Sequence, residues 1–121
     1  MTINIQIKTQ HIAEQSDPNN QRFVFAYTIT ITNRSKEPAQ LLNRYWLITD
    51  ANGKKIEVQG AGVVGEQPSI LPDESYTYTS GCILETELGT MEGHYEFKNQ
   101  DETLFKQTIP VFRLAVPNIV H

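Results

Sequence analysis

The sequence predicts an all-β protein: an antiparallel β-sandwich, immunoglobulin/fibronectin type III-like. Three observations carry that expectation. Apolar residues recur with period two in segment after segment, the spacing of a strand with one buried face. Turn-forming residues separate these segments at Pro18-Asn19-Asn20, Glu37-Pro38, Asn52-Gly53 and Pro72-Asp73. No segment of roughly ten residues or more carries the three- and four-residue spacing of an amphipathic helix.

The elements follow in order. Ile3, Ile5 and Ile7 alternate near the start. In "RFVFAYTITIT", Phe23, Phe25, Tyr27, Ile29 and Ile31 share one parity and Thr28, Thr30 and Thr32 the other. "LLNRYWLIT" (41–49) is more continuously apolar, as a strand at a sheet centre is, and Asn52-Gly53 then makes a hairpin turn into "KIEV". "SYTYTS" (75–80) alternates aromatic and hydroxyl residues. "MEGHYEF" (91–97) puts Met91, Gly93, Tyr95 and Phe97 toward a core, and a polar "KNQDE" turn leads into "LFKQTIPVFRLAV". The total is about seven strands or slightly more, with Trp46 on the third as the large aromatic such a core needs. The chain forms one domain, 1–121, with no internal repeat, low-complexity segment or linker.

A domain of this length buries about two-thirds of the surface its unfolded chain exposes, so folding needs neither metal nor disulfide. Lys and Arg number 10 against 14 Asp and Glu, a net charge of -4. A nucleic-acid partner is not expected, because no basic patch is present beyond Lys54-Lys55 in a turn. "MTINIQIK" lacks the charged start and apolar run of a secretory signal, and no stretch approaches the roughly 18 apolar residues of a membrane span. The expectation is a cytoplasmic protein without membrane insertion. Asn33-Arg34-Ser35 matches a glycosylation acceptor, which has no meaning without export.

"GAGVVGEQP" (60–68) contains Gly-x-Gly-x-x-Gly at Gly60, Gly62 and Gly65, followed by Glu66. A dinucleotide loop of that form must open a helix whose N-terminal amides hold the pyrophosphate. Here Pro68 and Pro72 follow closely and no βαβ unit exists, so the context is that of a glycine-rich turn between strands. An anion nest of consecutive amides, which needs no helix, stays open as an alternative. Glu92, His94 and Glu96 alternate on one strand face and are weak metal candidates, set against the plainer reading of a solvated face. His11 and His121 have no spaced partners. Cys82, the only cysteine, reads as a small buried hydrophobe rather than a nucleophile. The aspartates at 17, 50, 73 and 101 fall in turns, where Asp is favoured for local hydrogen bonding. Glu85 and Glu87 show no cleft for paired acid–base work.

Two features are not obviously consumed by a core. If Trp46 is buried with Leu42 and Ile48, Arg44 shares their parity and must reach an edge or a partner, while Tyr45 and Leu47 face the other way. Arg, Tyr and Trp are enriched in binding hot spots, so Arg44 and Tyr45 are a partner-surface candidate. The tail "RLAVPNIVH", with Ala115, Val116, Ile119 and Val120, either docks back on the sandwich or joins an edge strand in a homodimer.

The motifs "RYWLITDANG", "VQGAGVVGEQP", "YTYTSG", "GTMEGHYEF" and "IPVFRLAVPNIVH" together resemble the bacterial ApaG family, from about residue 3 to the C-terminus. The resemblance implies a fibronectin type III-like sandwich without an established enzymatic activity, associated with cobalt resistance and magnesium efflux. In that family the genes often neighbour a diadenosine tetraphosphate hydrolase. Related domains in eukaryotic F-box proteins and in a polymerase-interacting protein imply a protein-binding role. The family's glycine motif maps onto Gly60, Gly62 and Gly65. The expectation is therefore a non-enzymatic module with a protein partner and no cofactor, using the 60–68 loop and the Arg44–Tyr45 region. The alternative is a sensor of a pyrophosphate-containing nucleotide or a divalent cation through the glycine loop, with hydrolysis of such a nucleotide as the least favoured reading.

Overall fold

The computed structural model describes residues 2–117. Eight strands run in chain order: β1 (Ile3–His11), β2 (Phe23–Asn33), β3 (Ala39–Asp50), β4 (Lys55–Ala61), β5 (Ser69–Ile70), β6 (Ser75–Leu84), β7 (Leu88–Asn99) and β8 (Leu104–Ala115). They form two antiparallel sheets, one ordered β1-β2-β6 and the other β4-β3-β7-β8 with β5 added alongside β3. The only helical turns among the described residues are short 3₁₀ segments at Ala13–Gln15 and Pro18–Asn20. The strand beyond the expected seven is the two-residue β5, too short to leave a periodic signal.

Alternation decides which side chains make the core. The odd residues of β2, from Phe23 to Ile31, are all buried and face Tyr78 and Cys82 of β6 and Trp46, Tyr95 and Ile109 of the opposing sheet. Trp46, 2% exposed, meets Tyr27, Tyr95 and Phe112 edge-on, the arrangement ring quadrupoles favour. On the outward face of the three-stranded sheet the intervening hydroxyls pair across β2 and β6: Thr28 with Thr79 (2.8 Å), Thr30 with Thr77 (3.0 Å) and Thr32 with Ser75 (2.7 Å). β1 packs on β8 and closes one side of the sandwich.

The expected placement of Leu42 in the core beside Trp46 is wrong, and the cause is a bulge. The register of β3 against β7 shifts between Leu41 and Asn43, so the buried residue is Leu41, with Leu42 half-buried. One extra residue reverses the parity of everything before it. Two further expectations resolve here. Asn33 is wholly buried, and its amide donates to the carbonyls of Glu37 and Ile70 (2.8 Å each). It is a structural tie, not a surface acceptor for sugar. Ala115 and Val116 dock back, Val116 packing on the core and donating its N–H to the Glu87 carbonyl (3.0 Å). Ile119, Val120 and His121 lie outside the described residues.

Candidate functional site: the outer face of the large sheet

Strand register builds a surface that no single segment displays. Across β4, β3, β7 and β8, one row on the outer face runs Gln59, Tyr45, His94, Thr108. A second runs Ala61, Asn43, Glu96, Lys106, and a third Glu57, Leu47, Glu92. The Tyr45 and His94 rings stack at the centre, 5.2 Å apart with their planes 23° from parallel. Two shallow depressions, about 440 Å³ and 400 Å³, both have Tyr45 and His94 in their walls. The second extends to Pro110 and Val111, where a bulge in β8 leaves Val111 60% exposed. Desolvation raises the Tyr45 hydroxyl above its ordinary pKa, with Glu57 and Glu92 adding to it.

Arg44 and Tyr45 leave β3 on opposite faces, yet both, with Gly60, line the first depression. Arg44 points to the inner side of β3, opposite Gly60, and its Nη1 donates to the carbonyls of Ala61 (3.1 Å) and Gly62 (3.0 Å). A Cβ at Gly60 would lie 2.9 Å from that nitrogen. The missing side chain of Gly60 thus makes room for an arginine that ties β3 to the end of β4.

Gly60 belongs to β4, and only Gly62 and Gly65 lie in the turn that follows. Val63 is wholly buried and pairs with Glu66 in an isolated bridge, each N–H donating to the other's carbonyl (2.8 and 2.9 Å). The two residues between them, Val64 and Gly65, both have φ > 0 (43° and 80°), as a type I′ turn requires. The Gly62 N–H donates to the Leu42 carbonyl (2.7 Å), the group displaced by the β3 bulge, and the Gln67 side chain donates to it too (2.9 Å). The amides of Gly62, Val63 and Glu66 are therefore engaged by backbone carbonyls, and β5 follows instead of a helix. The Glu66 side chain is exposed. Val64 is the strained member: a β-branched residue in the left-handed region, 56% exposed, with no packing return for its conformation.

Glu92, His94 and Glu96 share a face, as expected, but alternate strand residues stand about 6.5–7 Å apart and do not converge. His94 lies on Tyr45 and Glu96 accepts from Asn43 (2.7 Å). Among the described residues, no three His, Cys, Asp or Glu side chains come together as a metal-holding group.

A family model described as the ApaG domain matches residues 13–99. The chain belongs to the ApaG family. A Photobacterium profundum protein named Protein ApaG is 59% identical over 120 residues, covering 99% of this chain and 94% of its own. An Escherichia coli protein of the same name is 58% identical over 117 residues, covering 97% and 94%. The crystal structure described as a putative ApaA protein from Bordetella pertussis superposes with TM-score 0.94 at 43% identity, covering 98% of this chain and 96% of that one.

Several residues of this ApaG domain that invited chemistry prove to be structural. Cys82 is buried and its thiol is pushed up to about 11 by desolvation, leaving very little thiolate at neutral pH. Glu85 holds Lys54 at 2.6 Å in an exposed pair. His11 meets the Ser16 hydroxyl (3.2 Å) and lies against Phe25. No helix of the described residues is long and apolar enough to cross a membrane. Asn43, Gln59, Lys106 and Val111 were not singled out in the sequence. Their only signal was outward parity, which identifies a surface but not which rows meet on it.

Proposed function

We propose that this ApaG-family protein is a non-enzymatic binding module of the cytoplasm whose ligand is another protein, docked on the outer face of the large sheet. The observation that carries the reading is the stacked Tyr45–His94 pair at the centre of two adjoining depressions. Three carboxylates, Glu57, Glu92 and Glu96, surround it against two cations, the Lys106 ammonium and the Arg44 guanidinium, the latter already held by the Ala61 and Gly62 carbonyls. A partner segment with an Arg or Lys set among apolar residues fits this chemistry, its cation over the tyrosine ring and its aliphatic neighbours on Leu47 and Val111. The exposed strain at Val64, just past the end of β4, adds the turn tip to the contact surface. In this reading the family's association with cobalt resistance and magnesium efflux runs through the partner. The sensor alternative, a nucleotide or cation held by Gly60–Gly65, draws less support because three amides of the turn are already engaged.

Affinity capture with the wild type, followed by titration of the recovered partner, tests the proposal. Tyr45→Ala is expected to weaken the complex by about 2 kcal/mol, roughly thirtyfold, with the melting temperature little changed. Thr77→Ala, on the opposite sheet, is expected to leave it intact. A partner held equally by wild type and Tyr45→Ala would remove the docking face.

A further inference from the structure

Among the described residues β6 pairs only with β2, so it is an edge of the three-stranded sheet. Exposed edges present unpaired N–H and C=O groups, and proteins guard them with charges, proline, bulges or brevity. The other edges here are guarded. β1 carries Lys8 and packs on β8, β4 carries Lys55 and Glu57, β5 has two residues, and β8 combines Lys106, Pro110 and Arg113 with a bulge. β6 has none of these devices. Its 10 residues, Ser75–Leu84, include no charge and no proline, and its register on β2 runs without a shift. The residues facing outward from it, Ser75, Thr77, Thr79, Gly81 and Ile83, are exposed, Ile83 by 52%.

We infer that β6 is a self-association edge, and that two copies of this chain join β6 to β6 in antiparallel pairing about a two-fold axis. The result is a continuous six-stranded sheet. The absence of charge selects a second copy as the occupant. A two-fold axis repeats every charge of an edge across the junction, and like charges opposed in a ladder repel. On β6 there is none to repeat, although the whole chain carries -4. Centred on Thr79, the pairing sets Thr79 opposite its own copy, Thr77 opposite Gly81 and Ser75 opposite Ile83. That extends the hydroxyl rows already spanning β2 and β6 and gives Ile83 a strand beside it. The contact uses the sheet opposite Tyr45, so it stands or falls apart from the proposed docking face.

Sedimentation of the full chain over a concentration series reaching about 1 mM tests it. The wild type is expected to reach twice the mass of the 121-residue chain. Thr79→Lys is expected to weaken the association at least about tenfold, because two ammonium groups then face each other. Gln6→Lys adds the same charge to the same sheet face at its far edge and is expected to dimerise like the wild type. If Thr79→Lys does not fold, the double variant Thr77→Lys/Gly81→Lys serves, since the pairing sets these two positions opposite each other and a Cβ at Gly81 has only an ordinary 3.5 Å contact with the Phe25 carbonyl. A wild type monomeric throughout, or a dimer indifferent to charge on β6, would overturn the inference.

Discussion

Replacing Gly62 with alanine is expected to cost about 3–4 kcal/mol of folding stability, with no ligand present. The new Cβ would lie 2.2 Å from the Glu66 carbonyl oxygen, a backbone atom held by the Val63–Glu66 bridge, and the φ of +66° penalises any side chain as well. The other glycines grade the effect. Gly65 has φ +80° but open space, so Gly65→Ala is expected to lose only about 1 kcal/mol. At Gly60 a Cβ meets the tip of the Arg44 side chain, which can shift, and the loss is expected to be smaller still. Val64→Gly goes the other way, with a gain of about 1 kcal/mol from relieved strain. Urea denaturation of the four variants measures the series. A phosphate cradle would show its glycine losses in ligand binding instead, and four equally stable variants would refute the account of the turn.

Alkali is expected to be the second large perturbation. Tyr27, Tyr78 and Tyr95 are buried, and desolvation raises each hydroxyl above its ordinary 10.0. Tyr78 and Tyr95 are hydrogen-bonded to each other across the core. These groups, like Cys82, ionise more readily in the unfolded chain than in the folded one. Their stabilisation is therefore full below the unfolded values, 9.0 for the thiol and 10.0 for the phenols, and is lost as pH rises beyond them. Each hydroxyl that stays protonated in the fold contributes a slope of up to about 1.4 kcal/mol per pH unit. Between pH 7 and about pH 11, Tyr78 and Tyr95 together are expected to remove about 3 kcal/mol. Urea midpoints across that range check it. The double variant Tyr78→Phe/Tyr95→Phe removes both members of one hydrogen bond and should take out the pair's share, about 3 kcal/mol, leaving the part of the decline that belongs to Cys82 and Tyr27. Equal stability of the wild type at pH 7 and pH 11 would contradict the buried neutral pair.

Most of the fold was legible because β2, β6 and β7 obey a strict period of two. What escaped was set by register rather than alternation. In "LLNRYWLIT" apolar residues occupy both parities, so nothing in the string marks the bulge that buries Leu41 in place of Leu42. β5 is two residues between prolines, too short for a period. The acceptor motif at Asn33 was set aside for want of export, and nothing in its triplet pointed to the carbonyls of Glu37 and Ile70 that its buried amide ties together. Of the site, Tyr45 and His94 were singled out separately, but their stacking depends on the alignment of β3 with β7, a pairing of residues far apart in the chain. The glycines were recognised as a turn from Pro68 and Pro72. That Gly60 instead makes room for Arg44 required the β3–β4 register.

On this reading the glycine motif is architecture and the ligand is a protein. The most direct test is the melting temperature measured against magnesium, cobalt, ATP, pyrophosphate and diadenosine tetraphosphate. A ligand at about 100 times its dissociation constant adds about 2.7 kcal/mol, a shift on the order of 10 °C for a domain of this size. No shift is expected with any of the five. A shift of that size with a phosphate compound, abolished in Gly65→Ala, would contradict it and make the turn a binding site.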